Sequence, residues 1–285
     1  MTVINTNISG LIGLNNLRTT NLGLQTSLER LSSGLKINKA ADDPSGLAIA
    51  KGMEAQIGGI RVATQNAEDG INLIHTADGT LSETQDILLR MRDLAVRAAN
   101  EATLTTQDMT RLDDEFNSLR AELTRKANAV TFNTKTLFDG SYSGGAANGQ
   151  VLQVGPDNGV NYRLTINITS MTAFGLGLSA AAAANVNGLQ TATSAQVSIS
   201  AVQAALDTVS DERAKLGIQE RRLQHIIDDL AAEDINISAA KSRIYDADMA
   251  AEISEFTRLQ ILQQSGTAIL AQANAQPQSV LQLLQ

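Results

Sequence analysis

Leu17, Leu24, Leu28, Leu31 and Leu35 are separated by one step of seven and then by alternating steps of four and three. Residues so spaced share one stripe of an α-helix. A longer series follows, with Ile60, Ala67, Ile74, Leu81, Leu88 and Ala95 recurring every seven residues. Three residues after each stand Ala63, Gly70, Ala77, Thr84, Met91 and Ala98. One edge of this seam is mainly large and the other mainly small, which lets neighbouring helices approach closely. The spacing predicts a helix from about Gly59 to Asn100. About 40 residues at ~1.5 Å each make a rod of roughly 60 Å. That is too long for a globular interior, so the pattern means a coiled coil or bundle.

The same pattern returns near the other end. Leu216, Leu223, Leu230, Ile237 and Ile244 are spaced by seven, Val202, Leu206 and Val209 lead into that phase, and no proline occurs from 157 to 276. Met109, Leu112, Phe116, Leu119 and Leu123 step by three and four, predicting a helix that ends near Ala129. Asp42, Asp43, Pro44, Ser45 and Gly46 read as a turn cluster, in which Pro44 disfavours helix at Asp43 and Gly46 loosens the chain. Asp246 and Asp248 read as turn and capping residues before a last helix through Ile253, Phe256 and Leu259 to about Asn274, interrupted by Pro277. The middle differs in kind: between Gly140 and Leu206 the only charged side chains are Asp157 and Arg163. There VLQVG and NYRLTINIT alternate like short strands joined through Pro156-Asp157-Asn158-Gly159, and residues 178–193 form an Ala-rich loop. The predicted fold is mainly α. A long-helix antiparallel bundle or coiled coil is formed by the N- and C-terminal segments, with a small β-hairpin region from the middle of the chain at its far end.

Composition narrows the function classes. Aromatic residues make up 3% of the chain, without tryptophan, which is poor material for the centre and pockets of an enzyme of 285 residues. The absence of cysteine removes disulfides, thiolate metal sites and cysteine nucleophiles, and a net charge of −8 argues against nucleic acid as a partner. His75 and His225 lie far apart and read as helix-surface residues. Asp42/Asp43, Asp113/Asp114 and Asp228/Asp229 are adjacent pairs, and because neighbours on a helix point about 100° apart, such pairs make poor metal or acid–base dyads. No phosphate-binding loop, dinucleotide fingerprint, metalloprotease helix or nucleophile elbow is present. The expectation is a non-enzymatic protein with no catalytic, cofactor or metal residues and no membrane insertion. The sequon-like triplets at Asn7 and Asn236 fall in predicted packed helices and read as chance.

The opening VINTNISGLIGLNNLRTTNLGLQTSLERLSSGLKINKAADDPSGLAIA, the stretch NAEDGINLIHTADGTLSETQDILLRMRDLAVRAAN and the ending SRIYDADMAAEISEFTRLQILQQSGTAILAQANAQPQSVLQLL resemble bacterial flagellins in sequence, order and separation. The large variable outer domains of many flagellins have no room here, so the chain is similar to a near-minimal member. The resemblance implies a structural subunit of the flagellar filament for swimming motility. It divides the chain into an inner-tube helix at 1–43, outer-tube helices at 44–140, a short β-rich and low-complexity region at 141–195, an outer-tube helix at 196–242 and an inner-tube helix at 243–285, with a spoke near residues 39–52. Assembly through the inner tube would fall to Leu17, Leu24, Leu28, Leu31, Leu35, Ile253, Phe256, Leu262 and Ile269. The bundle core would be Ile60, Ile74, Leu81, Leu88, Leu216, Leu223, Leu230, Ile237 and Ile244.

The implied partners are copies of the chain, a flagellar export chaperone on the C-terminal helix, and the filament cap and hook–filament junction proteins. The implied location is the extracellular filament, reached through the flagellar type III apparatus without a cleaved signal peptide. Arg90, Leu94 and Glu115 match the family's contacts with the vertebrate flagellin-sensing Toll-like receptor. Two alternatives remain open at this point: the homologous hook–filament junction protein and a soluble coiled-coil scaffold. The ends, with Gly10, Gly13, Gly23, Gly34 and Gly266 each costing about 1 kcal/mol in a helix interior, are expected to be largely unordered until assembly covers them.

Overall fold

A computed structural model describes residues 7–142, 150–179 and 188–282. Among the described residues five long helices carry the chain: α1 (Ile8–Ser33), α2 (Pro44–Ala98), α3 (Thr106–Ala129), α4 (Ala192–Tyr245) and α5 (Met249–Gln282). Two small hairpins lie between α3 and α4, pairing β1 (Thr131–Phe132) with β2 (Lys135–Thr136) and β3 (Gln150–Gln153) with β4 (Arg163–Ile166), both antiparallel. The predicted mainly α bundle with a small β-hairpin region is therefore the architecture observed. Of the predicted Ala-rich loop at 178–193, residues 180–187 lie outside the described residues, as do 283–285 of the tail.

Local chemistry sets the helix ends, and three expectations need correction. First, α2 begins at Pro44 and not near Gly59. Asp43 caps it by accepting from Gly46 N at 2.9 Å, and Pro44 needs no amide donor in the first turn. Gly46 does not loosen the chain: a Cβ there would stand 2.4 Å from Asp43 Oδ2 and 2.8 Å from Ile37 Cδ1, so glycine is what lets the cap and Ile37 close over the turn. Second, Pro277 does not interrupt the last helix, which continues to Gln282. Third, the middle of the chain lies along the helices and not beyond their end. Asn66 Nδ2 donates to Gln153 O at 3.0 Å, and glycines on α2 leave room for the hairpin: a Cβ on Gly70 would meet Leu152 Cδ2 at 2.5 Å, and one on Gly59 would meet Pro156 Cβ at 2.8 Å.

The chain divides into two compact units, residues 1–57 with 235–285, and residues 58–234. The second unit has a continuous apolar core. Ile74, Leu81, Leu88 and Met91 of α2, Phe116 and Leu123 of α3, and Leu216 and Leu223 of α4 meet Leu137, Phe138, Ile168, Leu178 and Leu189 from the intervening segment. Two buried acids hold that segment in place. Asp113, 6% exposed, accepts from Leu189 N at 2.7 Å and Gln190 Nε2 at 3.1 Å. Glu212, 2% exposed, accepts from Thr169 N and Thr169 Oγ1, both at 3.0 Å, with Lys215 Nζ at 3.3 Å. Each carboxylate is buried only because donors meet it.

The β1–β2 hairpin went unread in the sequence because its turn, Asn133-Thr134, lacks the usual glycine. Both residues are left-handed, with φ of 47° and 67°, as a two-residue turn of this hand requires. A β-branched residue is strained there. Thr134→Gly should raise stability by about 1 kcal/mol, the relieved strain less the entropy glycine adds to the unfolded chain. Urea unfolding checks this, and an unchanged or lower midpoint would contradict it.

Candidate functional site

In the first unit α1 and α5 run antiparallel. Asn7 Nδ2 donates to Ala273 O at 2.9 Å, Gln263 Nε2 to Asn21 Oδ1 at 2.9 Å, and Ser27 Oγ to Glu252 O at 3.4 Å. At the other end Leu35 bridges Asp246, with Lys36 N bonded to Tyr245 O at 2.8 Å and Ala247 N to Gly34 O at 2.9 Å. Gly34, at φ 72°, turns the chain out of α1 into this bridge. Asp248 caps α5 by accepting from Ala250 N and Ala251 N at 3.0 and 3.2 Å.

The seam between these helices is built from glycine set against leucine. A Cβ on Gly13 would lie 3.5 Å from Leu270 Cδ1, one on Gly23 3.4 Å from Leu259 Cδ1, and one on Gly266 3.3 Å from Leu17 Cδ1. Gly13, Gly23 and Gly266, counted as a cost in the sequence, are thus places where the two helices approach. The described residues of both ends are helical along this seam. The seam is thin all the same: Gly10 and Ser27 of α1 are buried, as is Leu259 of α5 at 8% exposure.

Many of the other apolar side chains of the pair are exposed. Of the predicted assembly residues, Leu17, Leu24, Leu31, Leu35 and Phe256 are half-buried, whereas Leu28, Ile253, Leu262 and Ile269 are 42–64% exposed. Ile8, Leu11, Ile12, Leu14, Leu22 and Ile261 join them in the open, and the heptad search missed these because it followed a single stripe. Counting apolar residues off that stripe would have found them. Exposed apolar side chains gathered in this way on a charged chain mark an interaction surface.

The turn between α1 and α2 is closed by its own side chains. Asp42 Oδ2 accepts from Lys39 N at 2.9 Å and Asn38 N at 3.0 Å, and these amides hold its carboxyl below the usual carboxylate range. Lys39 Nζ reaches Glu29 Oε2 at 2.7 Å.

Of the predicted bundle residues, Ile60, Ile74, Leu81, Leu88, Leu216 and Leu223 are at most 1% exposed and Leu230 is 5% exposed, while Ile237 and Ile244 are half-buried. Arg90 and Glu115 are brought together, with Arg90 Nη2 2.7 Å from Glu115 Oε1. Leu94 is 3% exposed, so it offers little surface of its own. His75 pairs at the surface with Glu220 at 2.9 Å. Among the described residues no three His or acidic side chains gather as a metal site, and no helix is long and apolar enough to cross a membrane.

An antiparallel helix pair that is apolar on its inner seam and again on its outer face defines a self-associating helical subunit. The family model for the bacterial flagellin N-terminal helical region matches residues 4–143, and that for the bacterial flagellin C-terminal helical region matches residues 199–284. The chain is 43% identical to the flagellin of Bacillus subtilis strain 168 over 303 aligned residues, covering 99% of each chain. It is 44% identical to the flagellin of Halalkalibacterium halodurans over 260 residues, covering 91% of each. Its fold also resembles that of a putative flagellar hook-associated protein from Vibrio parahaemolyticus, with a TM-score of 0.58 and 18% identity over 72% of this chain and 100% of that one. The chain belongs to the bacterial flagellins. It is a structural subunit of the extracellular flagellar filament, which serves motility, and not an enzyme.

Proposed function

We propose that α1 and α5 form the inner tube of the filament, residues 1–43 and 243–285, and that residues 44–242 form the outer tube with its spoke near 39–52. The observation that carries this reading is the outward apolar strip on the terminal pair, from Leu11, Leu14, Leu22 and Leu28 to Ile253, Ile261 and Ile269. A contact that pairs different faces of identical subunits does not close on itself and generates a helical filament. Replacing Leu28 and Ile261 by Gln should leave the melting of the free chain within about 0.5 kcal/mol of the original. Seeded filament growth should be lost. Normal filaments from this variant would refute the assignment.

The finer partners follow from the same surface. Before assembly the exposed apolar side of α5 suits an export chaperone, and a helix pair with so thin a seam is readily undone for passage through the flagellar type III apparatus. At the filament ends the same faces would meet the cap and the hook–filament junction proteins. The ion pair of Arg90 and Glu115 favours recognition by the vertebrate flagellin-sensing Toll-like receptor, with buried Leu94 shaping the surface beneath. Arg90→Ala should lower the response of receptor-bearing reporter cells to the monomer. An undiminished response would remove Arg90 from that surface.

A further inference from the structure

We propose that Asn7 and Pro277 form a two-part latch that makes the ordering of the chain's two ends mutually dependent. Helix α5 runs through position 277 to Gln282, and a proline there has no amide hydrogen. The carbonyl of Ala273, four residues earlier, therefore has no helical donor. Asn7 supplies one, its Nδ2 lying 2.9 Å from Ala273 O and 3.4 Å from Asn274 Oδ1. The same amide group caps α1, because Asn7 Oδ1 accepts from Gly10 N at 2.9 Å.

One side chain thus completes the first turn of α1 and the last turns of α5, across 266 positions of sequence. Gly10 makes room for it: a Cβ there would stand 2.9 Å from Asn7 Nδ2 and 3.3 Å from Asn274 Oδ1. Among natural side chains asparagine fits both tasks, since the cap needs an acceptor and the freed carbonyl needs a donor. If α1 is not docked, the Ala273 carbonyl is left to water and the last turns of α5 fray. If α5 is not docked, Asn7 is a simple cap. The ordering of the two ends is therefore coupled, each favouring the other by about one net hydrogen bond. For assembly, this means that a subunit with one end in place is incompletely ordered. That consequence rests on the reading of α1 and α5 as the inner tube, but the latch itself does not.

Four chains test it: the original, Asn7→Asp, Pro277→Ala and the double variant. Asn7→Asp keeps the acceptor for Gly10 N and loses the donor, while Pro277→Ala restores a main-chain donor to Ala273 O. Hydrogen exchange is followed by mass spectrometry in peptides spanning residues 270–282 of seeded filaments, together with the critical concentration for growth. Asn7→Asp alone should speed exchange about fivefold, the ratio that one net hydrogen bond supplies. In the Pro277→Ala background the same change should have an effect close to one, and growth should recover. Equal effects in both backgrounds, no effect in either, or failure of the double variant to assemble when Pro277→Ala alone assembles would overturn the latch. Coupled exchange with an unchanged critical concentration in all four chains would uphold the latch and refute the inner-tube reading.

Discussion

Leu223→Asp should abolish the folded core of residues 58–234. Leu223 is fully buried, and a Cβ placed on Gly70 would stand 3.2 Å from its Cδ1 and 2.5 Å from Leu152 Cδ2, so α2, α4 and β3 meet at this point. The change forfeits roughly 1.5–3 kcal/mol of apolar burial. It also puts an uncompensated carboxylate where no donor waits, which costs several kcal/mol more. The sum is comparable with the whole stability of an ordinary domain, about 5–15 kcal/mol. Leu230→Asp, at a site 5% exposed, is expected to fail in the same way. Ile218→Asp is the control, since Ile218 lies on the same helix but is 67% exposed, and as a free chain it should melt within about 0.5 kcal/mol of the original. Thermal unfolding followed by helical circular dichroism separates them, and a Leu223→Asp chain that melts normally would show that the seam does not hold the core.

Trimming the ends should eliminate polymerisation while leaving the core intact. Arg18, Lys36 and Arg258 are exposed, and Arg30 is half-buried beside Glu252 at 3.8 Å, a surface pair that contributes little. The seam that joins α1 to α5 buries few side chains, so this pair opens at low free energy compared with the core. In the free chain trypsin should cut first at these four sites and leave a resistant fragment of roughly residues 50–240, whose packed core opens far more rarely. That fragment should not grow on seeds, and the intact filament should resist cleavage at the same four sites. Ends as protected as the core in the monomer, or a trimmed fragment that still builds filaments, would show that the termini do not control assembly.

The helices and their seams were legible because helical periodicity is local information. Apolar side chains three and four residues apart share a face whatever the rest of the chain does. The run from Ile60 to Ala98 could therefore be marked as a seam, and every one of its twelve positions is buried. The capping of α2 by Asp43 was also present in the local residues, but it was read as a break because proline and glycine serve both ends and starts of helices. The β3–β4 hairpin showed through alternation, whereas β1–β2 did not, since two-residue strands carry no period.

What the sequence by itself determined is that this chain makes long helices with apolar stripes, a charge-poor middle, and no constellation for catalysis. Tertiary structure decided which stripe is covered and by what. Leu28 and Leu17 follow the same heptad logic, yet Leu17 rests against Gly266 while Leu28 is 54% exposed. Asp113 looked like half of an acidic pair and is instead the anchor of Leu189 and Gln190, 76 and 77 residues away. Asn7, which stood out in the sequence only as a chance sequon, caps α1 and also completes a helix 266 residues distant. Each of these depends on a pairing between remote segments. Such a pairing is selected by shape and by the need to satisfy buried polar groups, and neither leaves a period in the sequence.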